Sequence, residues 1–416
     1  MEKRDLVIIG GGSAGLSAAV AAFDLGLKSI LIIERGSRLG GILNQCIHTG
    51  FGLSTFNEQL TGPEYASRYM KMIEDRNIEY RLETNVLEIS PDKIVTVTST
   101  AGLSQIEAGA IILATGCYER NAGAILLPGD RPRGILTAGQ AQEYINIRGY
   151  SVGKRIFILG SGDIGLIMAR RMTLEGAQVL GVAELMPYSN GLPRNIVQCL
   201  EDFNIPLFLS HTIKDVQSAN GNLVGITIAQ VDHNFQFIEG TDKHFDVDTL
   251  LLSIGLIPSN ELLDNLHILA SKTRGAVVDE HLQTGMAGVF SCGNCLHVHD
   301  VVDFVSQEGA LAGRSAVKYL RHELKDGGDF IRVVAGNDIG YVVPQIIRYS
   351  DLDDEGVVLK YRPKRPLEKI KVLVSIDGKE IKKVFKPYAI PSEMEMIKLK
   401  KDDLVMGNEL KVEVAA

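Results

Sequence analysis

A chain of 416 residues, 45% hydrophobic and 23% charged, is long enough for two or three globular domains. Its net charge of −8 argues against a nucleic-acid or anionic-membrane partner, and no apolar run reaches the roughly eighteen residues of a membrane span. Five cysteines are too few for a disulfide framework here. With the first strand starting by Leu6 or Val7 and no export signal ahead of it, they read as reduced thiols of a cytoplasmic protein.

The opening stretch Val7–Glu34, VIIGGGSAGLSAAVAAFDLGLKSILIIE, organises the reading. Val7, Ile8 and Ile9 form an apolar β-branched run, as expected of a buried parallel strand. Gly10, Gly12 and Gly15 then fit G-x-G-x-x-G. An Ala-rich helix is predicted over Leu16–Leu27, and a second strand over Ile30–Ile33 ends in Glu34. In this pattern the first glycine permits a tight turn, the second lets a pyrophosphate approach the backbone, and the third lets helix and strand pack closely. The phosphates would sit on the helix N-terminus, around Ser13 and Ala14. Glu34, followed by Arg35, would accept from the adenosine ribose hydroxyls.

The pattern recurs at Arg155–Glu184. Gly160, Gly162 and Gly165, with Asp163 and Ile164 among them, repeat the glycine turn. Gly160 to Glu184 spans 24 positions, as does Gly10 to Glu34. Further landmarks follow in the same order: Glu74–Ile78 corresponds to Glu201–Ile205, and Ile111–Gly116 to Leu250–Gly255. Two dinucleotide-binding domains are therefore expected, the second following or inserted into the first. The first copy carries 23 extra residues between its acid and the next landmark, containing Gly40–Gly52, GGILNQCIHTGFG. That segment suits a loop and helix lying along a large flat cofactor, with Gly41 and Ile42 as contacts. The second copy is longer around Gln217–Asp248, where alternation predicts a β-meander. Gly288–Asn294 reads as a last strand and turn, and Val305–Leu320 as a helix with small residues at its start. Beyond about Ile331, β-like runs at Lys369–Ile376, Lys382–Phe385 and Leu410–Val414, separated by Asp-Gly, Lys-Pro and Met-Gly-Asn, predict a small all-β domain. The fold class is thus α/β, with two Rossmann-like domains and a C-terminal β domain, divided as 1–117 with 256–328, 118–255, and 329–416.

These motifs resemble the flavoproteins with two dinucleotide-binding domains, including the pyridine nucleotide-disulfide oxidoreductases. The resemblance covers about residues 5 to 325. It implies FAD on the first repeat and NAD(P)H on the second. Ala114-Thr115-Gly116 matches the A-T-G that closes the first domain, and Gly255 is its counterpart in the second. Gly288-Val289-Phe290-Ser291-Cys292-Gly293-Asn294 matches the motif that holds the flavin's ribityl chain, with Asn294 in place of the usual Asp. A subgroup carrying G-G-I-L-N-Q-C-I-H-x-G-F-G and C-G-N-x-L-H-V-H-D is closer still. It resembles subunits that accompany glycerol-3-phosphate-dehydrogenase-like flavoproteins, with relatives beside amino-acid and opine dehydrogenases. The resemblance implies a hetero-oligomer with a second dehydrogenase-like flavoprotein, an iron–sulfur subunit being a further candidate.

Against that background Glu184 favours NAD(H), because a 2′-phosphate wants an Arg and no carboxylate. Cys46 stands alone where disulfide reductases place two cysteines beside the flavin, so a dithiol cycle is not available there. It is open whether Cys46 is a reactive thiolate or a small apolar lining residue. His48 would donate to a flavin carbonyl or shuttle a proton, or else is a satisfied buried histidine. His297 and His299 follow the flavin-tail motif, and their clustering favours a functional role, without enough ligands for a metal. Cys292-x-x-Cys295 is read as coincidence, and Cys117 and Cys199 as structural. The expected function is an FAD-dependent oxidoreductase subunit moving hydride or electrons between NAD(H) and a partner flavoprotein or other acceptor. Glycerol-3-phosphate or amino-acid oxidation is the expected setting, although no Arg/Lys cluster in the insertion marks a phosphate pocket for glycerol 3-phosphate on this chain. The alternatives are a single-cysteine NADH-dependent peroxide or disulfide reductase using Cys46, and a non-catalytic cofactor-holding subunit.

Overall fold

β-branched runs buried on both faces can only sit in the middle of a layered parallel sheet, and they do so twice. The computed structural model describes residues 1–324 and 328–415. The chain divides into two compact units, Met1–Cys117 with Pro258–Ala416, and Tyr118–Ile257. In the first unit, Glu2–Ile9 lies between Ile30–Ile33 and Gly102–Leu113, with Ile8 in register with Ile32 and Ile112. Glu79–Arg81 extends one edge, and Val289–Ser291 pairs with Ile111–Leu113. The strand Gly102–Leu113 changes partner along its length: its first half pairs antiparallel with Ile94–Ser99, which pairs in turn with Asn85–Ile89.

Two helices cover this sheet, Ser13–Asp24 and Val302–Leu320. They approach to backbone distance because glycines face alanines. A Cβ on Gly309 would lie 2.2 Å from the Ala14 oxygen, and one on Gly313 2.2 Å from the Ala18 oxygen. The opening helix starts at Ser13, three residues before the predicted start, because its first turn includes the glycine motif itself. The insertion is a single 3₁₀ turn, Gly41–Gln45, followed by short strands Thr49–Phe51 and Leu60–Thr61, where a loop and helix were expected. Asp303 pins it to the long helix, accepting from the N–H groups of Gly52 at 3.1 Å and Thr55 at 2.8 Å.

The second unit repeats the theme with the strand order Ile135–Thr137, Thr249–Leu252, Arg155–Leu159, Gln178–Glu184, Leu207–Leu209, all parallel. Its extra segment is the antiparallel meander His211–Ala219, Asn222–Gln230, Lys243–Phe245.

After the long helix, residues from Ile331 build two sheets around an apolar core of their own, which includes Ile331, Leu359, Tyr361, Val372, Leu399 and Val412. Lys386-Pro387 does not separate strands as predicted; it lies inside Lys379–Ala389. That strand is an edge, where a missing N–H costs no ladder bond. In Val357–Pro363, Val357, Leu359, Tyr361 and Pro363 are buried in the core, and the alternate positions Lys360 and Arg362 face away from it.

Candidate cofactor sites

The two glycine turns are built alike, and backbone sterics explain the residue choice. Gly10 has φ +111°, and a Cβ there would meet the Ala114 oxygen at 2.3 Å. In the second copy Gly160 has φ +95°, with the Ser253 oxygen at 2.1 Å from such a Cβ. A Cβ on Gly15 would lie 1.9 Å from the Gly10 oxygen, so helix and strand touch there. By contrast a Cβ on Gly12 meets nothing within 4 Å. Neither N-cap residue offers a side chain to the helix, but in the second copy the Gly165 N–H of the first turn already donates to Ser253 Oγ at 3.0 Å. In the first copy the open approach at Gly12 to uncapped N–H groups fits a bound pyrophosphate.

The two acids share one geometry. Glu34 accepts from the N–H of Gly11 at 2.7 Å and of Gly36 at 2.7 Å. Glu184 accepts from the N–H of Ser161 at 3.0 Å and of Met186 at 2.9 Å, and also from Ser161 Oγ at 2.6 Å. Each carboxylate therefore ties the glycine turn to the end of the second strand. Glu34 is half-buried and Glu184 is buried. Asp163 is engaged within the second unit, accepting from Leu192 N–H at 2.8 Å and Asn195 Nδ2 at 2.6 Å. Ile164 is half-buried beside it, and Gly255 has φ +102° at the end of the last strand.

In the first unit the predicted contacts converge on one strand end. A Cβ on Gly41 would lie 3.1 Å from the Gly12 Cα, so the insertion crosses the glycine turn. A Cβ on Gly293 would lie 2.9 Å from that of Ala14, which places the flavin-tail turn on the start of the opening helix. Thr115 donates to the Ser259 oxygen at 2.7 Å, and Gly116 has open space beside it. Arg35 and Ile42 are exposed. Asn294 Oδ1 accepts from the His299 N–H at 3.0 Å.

Cys46 is half-buried, and its thiol donates to the Ile42 oxygen at 3.4 Å. Desolvation pushes that thiol up to about 12. His48 is half-buried against Phe51, with Nδ1 3.2 Å from the Thr49 oxygen. Cys292 and Cys295 are fully buried, both with Sγ toward the Leu113 oxygen, at 3.8 and 3.2 Å. Cys199 is also buried, and its thiol is pushed up to about 11 by desolvation.

The His297 and His299 rings lie 4.2 Å apart, tilted to one another, beside a residue the sequence did not single out, Glu308 of the long helix. Glu308 Oε1 lies 3.0 Å from His297 Nε2 and 2.5 Å from Lys360 Nζ. Its Oε2 accepts from the Gly293 N–H at 2.7 Å, with His299 Nε2 at 3.5 Å. Burial, then His299, pulls His297 down to about 3, so it is neutral at physiological pH. Burial opposes the charge on Glu308, but the Lys360 ammonium and the hydrogen bond to His297 hold its carboxyl well below the usual range. With an ammonium on Oε1, the trio forms a buried ion pair flanked by imidazoles. Lys360 and Arg362 left no local signal, because a lysine or arginine at every second strand position reads as a solvated face. Only the fold brings Glu308 to Lys360 and Asp300 to Arg362.

The sequence profile of the family described as pyridine nucleotide-disulphide oxidoreductase matches residues 4–323. The thioredoxin reductase of Bacillus subtilis (strain 168) is 24% identical over 324 residues, covering 76% of this chain and 94% of that protein. Hydrogen cyanide synthase subunit HcnB of Pseudomonas aeruginosa is 25% identical over 282 residues, covering 62% of this chain and 58% of that protein. Among solved structures, the thioredoxin reductase of T. acidophilum superposes with a TM-score of 0.64 at 21% identity, covering 76% of this chain and 99% of that one. Among the described residues, no helix is long and apolar enough to cross a membrane. With a family match across the two glycine turns and the flavin-tail strand, the chain belongs to the pyridine nucleotide-disulphide oxidoreductases and is an oxidoreductase that uses FAD and NAD(P)H.

Proposed function

We propose that this chain moves reducing equivalents between NAD(H) and a partner flavoprotein or other acceptor, through FAD, and that it does not reduce disulfides through a dithiol of its own. The observation that carries this reading is where the cysteines lie. Cys46 and Cys117 are half-buried and each has no second cysteine in its segment, with Cys117 Sγ 3.7 Å from Asn294 Nδ2; Cys292 and Cys295 are sealed in the core, and the second unit contains Cys199 alone. A disulfide relay needs a thiolate and a partner sulfur that a substrate can reach. When bound, the flavin supplies the two-electron chemistry. The residues of this chain hold it: the Gly10–Gly15 turn for the pyrophosphate, Glu34 at the ribose end, and Gly293–Asn294 at the ribityl end. In the second unit the fixed negative charge of Glu184 favours NAD(H) over a 2′-phosphorylated nucleotide.

Membership of a complex is supported by the likeness to a protein named as a synthase subunit. The proposed partner is a second dehydrogenase-like flavoprotein, with an iron–sulfur subunit beside it. The discriminating experiment is an anaerobic titration of the flavin-loaded protein with NADH, followed by the visible flavin absorbance. Stoichiometric bleaching is expected. A protein that holds FAD and does not bleach would instead be a cofactor-holding subunit that depends on its partner for catalysis.

A further inference from the structure

We infer that the C-terminal β domain is part of the flavin site: Lys360 and Arg362, side by side on one face of the strand Val357–Pro363, position the Gly293–Asp300 turn that receives the flavin's ribityl chain. The inference rests on the assignment of FAD to the first unit.

The strand's alternation turns both cations out of their own domain's core. Lys360 ends on Glu308, whose other oxygen holds the N–H of Gly293, the residue just before Asn294. Arg362 reaches the far end of the same turn: its guanidinium pairs with Asp300 and donates to the Val298 oxygen at 3.1 Å. Asp300 also accepts from the Met394 N–H of the C-terminal domain at 2.6 Å. The turn is thus held at both ends by a domain that contributes no residue to the glycine motifs.

The Glu308 side chain is fully buried, and a carboxylate there needs a cation. His297 does not supply it, being neutral. Lys360 does. Without Lys360, Glu308 would take up a proton or draw in water, and its hold on the Gly293 N–H would weaken. Lys360 therefore acts on the flavin through Glu308 and Gly293, as a positioning residue. Coupling of this kind is reciprocal: what the C-terminal domain does for FAD binding, FAD binding does for the C-terminal domain.

The test is the FAD affinity of K360M, read by reconstitution of stripped protein well below its unfolding temperature. The dissociation constant is expected to rise roughly tenfold or more. The double variant E308Q/K360M, which removes both charges of the Glu308–Lys360 pair together, is expected to recover part of that loss. Wild-type FAD affinity in K360M would overturn the inference, whatever happened to thermal stability. Should K360M fail to fold, the wild-type protein decides the matter by hydrogen exchange with and without FAD. Slower exchange is expected in Val357–Pro363 as well as in Gly293–Asp300. Protection of the turn with no change in the strand would overturn the inference. Failure of the wild-type protein to bind FAD at all would undo the cofactor assignment instead, a different result from either.

Discussion

Cys46 sits in the motif where a redox thiol would be sought, yet its surroundings favour the protonated form. Desolvation pushes the thiol up to about 12, the sulfur donates to the Ile42 oxygen, and a Cβ on Gly62 would lie 2.8 Å from the Cys46 Cβ. A thiol in such a niche packs like a small apolar residue. We expect C46S to leave NADH-to-flavin reduction at the wild-type rate, measured by anaerobic stopped flow. A loss of reduction rate or of peroxide turnover by orders of magnitude would restore the thiolate reading. Glu34 and Glu184 show the complementary case. Their position at the strand end marks a nucleotide site, but part of each carboxylate is already committed to the backbone of its own glycine turn.

The pairing of helices Ser13–Asp24 and Val302–Leu320 depends on two positions without side chains. Gly313 has the Ala18 oxygen, carbon and Cα all within about 3 Å of where a Cβ would be. Backbone does not yield as a flexible side chain would, so G313A forces the helices apart. Overpacking of this kind costs about 1–3 kcal/mol, and a fall of that size in urea stability is expected, with a smaller effect at an exposed helical glycine control. The sequence announced this helix, because its small residues and apolar spacing are local signals. The glycine turns, the repeat and the meander were legible for the same reason. The 3₁₀ turn at Gly41–Gln45 was not, because Gly40 and Gly41 adopt positive φ and fold the segment against Gly12. The site residues divide on the same line. Asn294 and the histidines lie in a contiguous motif, but Lys360 meets Glu308 across 52 positions of chain and Arg362 meets Asp300 across 62.

On the scale of the whole first unit, the seam between the Asp279–Gln283 turn and the C-terminal domain is acidic and buried. Asp279 accepts from the N–H groups of His281 and Gln283 and from Arg348 Nε, and Glu280 Oε2 accepts from the Arg348 N–H at 2.8 Å. His281 reaches the Asp351 oxygen across the same seam. Desolvation first, and then the Asp279 carboxylate, raise Glu280 to about 8. The folded protein thus keeps a proton that the unfolded chain has lost. The stability contributed by Glu280 is complete below the ordinary carboxyl range and is lost as pH rises through about 8. We expect E280Q to lose less stability than the wild type between about pH 5.5 and about pH 8.5, measured by urea midpoints. Asp279, raised in the same direction, keeps some slope in both proteins.

The matched ties of Glu34 and Glu184 have one more consequence. Since both acids fasten the same two backbone positions, the molecule contains a paired comparison within a single polypeptide. Gly11 is answered by Ser161, Ser13 by Asp163, and Gly36 by Met186. FAD and NAD(P)H share an adenosine diphosphate half, and differences such as these between two turns with matching acid ties are where discrimination between them can be dissected, each copy serving as the other's control.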